Sequence, residues 1–75
     1  MVELRQIKKG AEGKDVAMMQ VLLDAHGCSV GSCGFDGDFG PDTEVAVKAF
    51  QKTRKLDVDG ICGHDTWTEL LEGVR

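Results

Sequence analysis

An eight-residue phrase occurs twice in this chain of 75 residues, and both copies read as the start of a helix. Asp36-Gly-Asp-Phe-Gly-Pro-Asp-Thr43 aligns without gaps on Asp59-Gly-Ile-Cys-Gly-His-Asp-Thr66. The leading Asp accepts backbone N–H bonds across a tight turn, and the Gly after it permits the positive φ that such a turn needs. Phe39 and Cys62, at matching places, are apolar plugs for a core. The second Gly of each phrase brings the chain close to the coming helix, and Thr43 or Thr66 bonds back onto its first turn. A chain that opens two helices in this way is read as an internal repeat.

Hydrophobic periodicity then places three helices. The first spans Asp15 to His26, with Asp15 as N-cap and Gly27 as the left-handed residue that ends it. Val16, Met19, Val21, Leu22 and Leu23 form its apolar face. The second spans Pro41 to about Arg54. Pro41 suits the first helical position, Asp42 and Glu44 complement the positive end of the dipole, and Lys52, Arg54 and Lys55 the negative end. Thr43, Ala46, Val47 and Phe50 are its inward stripe. The third spans His64 to Glu72, with Thr66, Trp67, Leu70 and Leu71 inward and Gly73 as its stop. Five glycines between Gly27 and Gly40 mark a turn-rich connector with room for a short extended pair, and residues 56–63 form its shorter counterpart. Leu4 and Ile7 dock on the same core. The predicted fold is all-α: a compact three-helix bundle with an internal repeat and glycine-rich loops. It forms one domain over residues 1–75, with a core from about 4 to 71.

Composition narrows the function. The net charge is −4, and the lysines and arginines are scattered among acids without a basic stripe, which argues against nucleic acid and anionic membrane surfaces as partners. No stretch approaches the roughly 20 apolar residues of a membrane span. The N-terminus lacks a signal peptide's apolar core, so the chain is either an excised module of a secreted protein or leaves the cell by another route. The three cysteines, Cys28, Cys33 and Cys62, allow one internal disulfide and leave one thiol over, and the pairing is open.

Metal and catalytic readings are weak. An EF-hand loop counted from Asp36 meets Pro41 where Gly is needed and Val47 where Glu is needed. His26, Cys28, Cys33, Cys62 and His64 are zinc-ligand types without a finger or ribbon spacing. Cys28 with His26 lacks a third, orienting member for nucleophilic catalysis. No catalytic residue, metal or cofactor is expected.

Further motifs complete a pattern. They are Ile7-Lys-Lys-Gly10, Gly13-Lys-Asp-Val16, Leu22-Leu23, Gly27, Ala46-Val-Lys-Ala-Phe-Gln51, Leu56-Asp-Val-Asp-Gly60, Gly63 and Thr66-Trp67-x-x-Leu70-Leu71. With the two phrases, they make the chain resemble the peptidoglycan-binding domain family, the three-helix modules of bacterial wall hydrolases and phage endolysins. Cys28 stands where an aromatic is common, and His64 where the second phrase usually carries Pro. The resemblance implies a non-catalytic module that binds peptidoglycan, through its glycan or its stem peptide, and targets a linked catalytic domain to the wall. It implies a monomer acting outside the cell or in the wall, within a longer secreted or phage-encoded protein. The other reading is a pro-domain-like module that docks on a partner catalytic domain, with the odd thiol reaching a metal.

Candidate ligand residues are Asp36, Asp38, Phe39, Gln51, Asp59 and Trp67, around the groove framed by the two phrases. Trp67 reads equally as a platform for the apolar face of a sugar and as a core residue. Gln51 reads as lining a groove or as a solvated surface residue. Backbone N–H groups at Gly40 and Gly63 can receive a carboxylate, although Asp42 and Asp65 already hold negative charge there.

Overall fold

The computed structural model describes residues 6–28, 30 and 35–72. Leu4, Cys33, Gly73 and part of the Gly27–Gly40 connector, where a short extended pair is expected, lie outside these. The three helices run Lys14–Ala25 (α1), Pro41–Thr53 (α2) and His64–Glu72 (α3). Two isolated antiparallel bridges, Ile7 with Cys62 and Glu12 with Asp38, tie the segment before α1 to the two Asp-Gly phrases. Ile7 and Cys62 exchange both backbone bonds, at 3.1 and 2.7 Å. Phe39 bonds on both sides, its N–H to Ala11 and its carbonyl to Gly10, each at 2.9 Å. These bridges press Phe39 and Cys62 into the core as plugs.

The start of α1 corrects the expected cap. Gly13, not Asp15, is the N-cap, and no side chain caps the helix. Gly13 donates its N–H to the Gly37 carbonyl at 3.0 Å, and its own carbonyl accepts from Ala17 at 3.2 Å. The helix therefore begins where the backbone is pinned to the first Asp-Gly turn. Asp15 falls inside the first turn, where its charge still complements the dipole.

The inward faces follow helical spacing, with two corrections. On α1 the buried set is Val16, Met19, Gln20 and Leu23, while Leu22 is half-buried and Val21 is 48% exposed. Residues at i, i+3, i+4 and i+7 share a face, and Gln20, not Val21, holds the i+4 place. On α2 Thr43, Ala46, Val47 and Phe50 are buried as expected, joined by Gln51. On α3 Thr66, Trp67 and Leu70 are buried, but Leu71 is 45% exposed because it lies one step past the stripe.

The helices end in related ways. After α1, Gly27 is left-handed (φ 86°), with Cys28 N–H bonded to Leu23 O at 2.8 Å and Gly27 N–H to Asp24 O at 2.9 Å. This is a Schellman arrangement, which satisfies otherwise orphaned carbonyls. After α2 the same bonds form from Leu56 to Gln51 (2.8 Å) and from Lys55 to Lys52 (3.2 Å), but the left-handed residue is Lys55, at φ 61°. His26 then joins the three helix ends. Its Nε2 lies 2.9 Å from the Leu70 carbonyl, which can only accept, so Nε2 carries the proton and Nδ1 accepts from Arg54 at 3.1 Å. The imidazole sits 5.0 Å from the Phe50 ring, and the Arg54 guanidinium 5.4 Å from the same ring.

A lysine in the left-handed region costs roughly 1–2 kcal/mol relative to glycine. Lys55→Gly is accordingly expected to raise stability by about 1 kcal/mol, offset in part by the greater freedom of glycine in the unfolded chain. Calorimetry should show a melting temperature higher by about 4–8 °C.

Candidate functional site

Two glutamine amides organise the Asp-Gly turns. Gln51 is 1% exposed, and its Oε1 accepts the Gly60 N–H at 3.0 Å. Its Nε2 donates to Asp59 Oδ1 (2.9 Å), the Ile61 carbonyl (2.9 Å) and Thr66 Oγ1 (3.1 Å). Gln20, also 1% exposed, makes the same set in the first phrase. Its Oε1 accepts from Gly37 at 2.9 Å, and its Nε2 reaches Asp36 Oδ1 (3.1 Å), the Asp38 carbonyl (3.0 Å) and Thr43 Oγ1 (3.1 Å). A primary amide suits this place because one group accepts from the turn and donates to its far side. The threonines therefore face the glutamines, where the sequence placed them against their own helices' first turns.

Each leading Asp bridges its turn as expected. Asp36 Oδ1 accepts from the Asp38 N–H and Asp59 Oδ1 from the Ile61 N–H, both at 2.9 Å. These backbone bonds first, and the glutamine amides second, hold both carboxyls below their usual range. Positive φ favours glycine at both turns, and at Gly37 a backbone neighbour adds crowding, whereas at Gly60 the neighbours are flexible side chains. A Cβ at Gly37 (φ 79°) would stand 3.2 Å from the Gly13 carbonyl oxygen, and one at Gly60 (φ 74°) 3.0 Å from Lys48 Cε. The second glycines differ. Gly40 enters α2 in an extended conformation and a Cβ there would meet nothing within 4 Å, so crowding does not explain it.

Three hollows surround these turns. The first, about 450 Å³, is lined by Glu12, Gly13, Lys14, Ala17, Asp36, Gly37 and Asp38. The second, about 100 Å³, lies across Asp36 and Asp38, against Val30 and the start of α2 at Gly40–Thr43. The third, about 170 Å³, lies at the second turn, between Gln6, Leu56, Asp57, Asp59 and the start of α3.

The six candidate ligand residues fall into two groups. Asp36, Asp38 and Asp59 are exposed at the rims of these hollows. Phe39, Gln51 and Trp67 are buried, Trp67 at 2% exposure, so of its two readings the ring occupies the core. Gln51 lines the hollow at the second turn but is not a solvated residue, and its amide holds that turn. Gln20 was missed by reading the sequence, although an amide at the i+4 place of an apolar stripe was the available signal. Among the described residues Cys28 and Cys62 are free thiols and are not bonded to each other. Burial pushes the Cys62 thiol up to about 12 and also raises Cys28, where Arg54 opposes it. A thiol buried this way stays protonated and inert. Among the described residues, no group of three or more His, Cys, Asp or Glu side chains is gathered as a metal would require.

The family model of a peptidoglycan binding domain matches residues 12–70, which takes in all three helices and both turns. The chain belongs to the peptidoglycan-binding domain family. It is 45% identical over 60 residues to the N-acetylmuramoyl-L-alanine amidase CwlL of Bacillus licheniformis, covering 80% of this chain and 17% of the amidase. Among solved structures, the N-terminal domain of SleB superposes with a TM-score of 0.90 at 33% identity, covering all of both chains. The endolysin of Burkholderia phage AP3 gives 0.83 at 38% identity, over 95% of this chain and 26% of the endolysin. The chain spans between 17% and 26% of the first curated relatives it matches. Domains of this family are binding modules, not catalytic ones, and occur in wall hydrolases.

Two outcomes follow for this peptidoglycan-binding domain. Gln51→Glu keeps the shape of the side chain but sets an acceptor against Asp59, Ile61 O and Thr66. It should cost about 2–4 kcal/mol in urea unfolding, whereas Val45→Glu on the open face of α2 should stay within about 0.5 kcal/mol of the parent. The lowered carboxyls contribute stability that is present above the ordinary aspartate value of 3.8 and is lost as pH falls through their lower folded values. Melting temperature should therefore drop on acidification below that value, and the double variant Asp36→Asn, Asp59→Asn should show a flatter acid limb.

Proposed function

We propose that this domain is a wall anchor: it binds peptidoglycan and holds a linked catalytic domain at its substrate. The observation that carries this reading is the family match across residues 12–70. Tethering raises the effective concentration of a linked enzyme on a solid substrate without any catalytic group in the anchor. The amidase and endolysin relatives are several times longer than this chain, as an anchor within a larger enzyme would be. Their action on wall polymers favours an extracellular or wall location for the protein that carries this domain, and it works there as a monomeric unit.

Within the domain, the exposed Asp36, Asp38 and Asp59 are the contact residues we assign. Phe39, Gln51 and Trp67 support them from below by packing and by hydrogen bonds to the turns. Asp38 is the cleanest probe of contact, because its backbone carbonyl, not its carboxylate, is bonded to Gln20.

Purified domain mixed with intact sacculi and centrifuged should appear in the pellet at low and at moderate salt. Asp38→Ala should weaken pelleting by about tenfold, equal to about 1.4 kcal/mol, with the unfolding midpoint unchanged. Wild-type protein left in the supernatant under both conditions would reject the anchoring role.

A further inference from the structure

The first two hollows are one feature. Both are lined by Asp36 and Asp38, which stand between them as a low ridge, so they form a single two-lobed groove across the first turn. The third hollow shares no lining residue with either. In the larger lobe Gly13 is exposed and Ala17 half-buried, while Gly37 is buried beside them. Gly13 and Gly37 lie back to back there, joined by the 3.0 Å bond from Gly13 N–H to Gly37 O, and Ala17 flanks them. A Cβ on Gly37 would stand 3.2 Å from the Gly13 carbonyl oxygen and 3.8 Å from Ala17 Cβ, so the turn packs directly against this face of α1.

We propose that this groove takes the glycan strand of peptidoglycan, with a sugar ring lying on a shelf made by Gly13 and Ala17 and the strand crossing the Asp36–Asp38 ridge. This assignment rests on the wall-binding reading and adds which part of the polymer is held. A shelf of glycine backbone and a methyl group accepts the broad face of a pyranose ring. The rim offers hydrogen-bond acceptors, the carboxylates of Asp36 and Asp38, which suit the many hydroxyl and amide donors of an amino-sugar strand. Lys14 is the cation among the lobe's lining residues. A stem peptide, itself rich in carboxylates, would meet like charge at Asp36, Asp38 and Asp42 in a chain of net charge −4. Neutral sugars carry no such penalty. Two adjoining lobes also fit a polymer better than a single small molecule.

The test is chemical-shift mapping on the 15N-labelled domain with two probes, a short β-linked N-acetylglucosamine oligomer and a synthetic stem peptide. The oligomer should shift the amides of Gly13, Ala17, Gly37 and Gly40, and the peptide should leave them in place. Ala17→Gln, which sends a neutral side chain over the shelf from a helix surface, should lower oligomer affinity by at least about tenfold while leaving the rest of the amide spectrum in place. Should Ala17→Gln disturb the fold, Asp38→Asn provides the same readout from the ridge. Pelleting with sacculi separates the two levels of the claim. A domain that pellets with sacculi yet shows no oligomer shifts in the groove, or whose groove responds to the peptide, overturns the glycan assignment and leaves the anchor standing. Oligomer shifts confined to the third hollow overturn it equally. A domain that neither pellets nor responds to either probe overturns both.

Discussion

The buried amides of Gln20 and Gln51 are the interaction on which the rest depends. Each reaches from a helix into the Asp-Gly turn beyond it and leaves no buried side-chain polar atom among the described residues without a partner. A turn that carries a left-handed glycine and an inward-pointing N–H is costly to bury unless something accepts that N–H. The amide oxygen does so, and the same group's nitrogen holds the leading Asp, the carbonyl two residues beyond it and the threonine of the next helix. Two helix starts are thereby locked to two preceding helices. The plugs Phe39 and Cys62 are held at the right depth between them, where the backbone bridges to the segment before α1 complete the core.

Much of this was legible in the amino-acid order. The turns announce themselves because Asp and Gly are the residues that make such turns possible, and Gly37 and Gly60 are left-handed as the phrase requires. Pro41, Asp42 and Glu44 place the start of α2 without ambiguity. What could not be read was what each polar side chain faces. A glutamine looks solvated in a sequence because polarity is usually spent on water. Only the assembled fold supplies the N–H, carbonyl and hydroxyl groups that make its burial favourable. The misplaced cap at Asp15 has the same origin, since Gly13 starts α1 through a bond to Gly37, a residue 24 positions away that local propensity does not see. Val21 and Leu71 were drawn inward by their apolarity alone, although each lies one step off the stripe.

The candidate site was less legible than the fold. Six residues stood out, and burial divides them into three that meet solvent and three that build the frame. The division is consistent with how small domains work. A chain this short has few core positions to spare, so Phe39, Phe50 and Trp67 go to stability, and the recognition proposed above falls to short acidic side chains at the surface.

The two staples close rings of unequal size. Gln51 and Asp59 are 8 residues apart in the chain, whereas Gln20 and Asp36 are 16 apart. Doubling a flexible loop adds only about 0.6 kcal/mol to the cost of closing it, so the longer ring is a small burden for the fold. Part of the longer ring lies in the glycine-rich connector, where Val30 is buried in the core. By closure cost alone a longer first ring is tolerated, provided Val30 keeps its place in the core. The second ring is half as long, so each residue added to it changes the closure cost more.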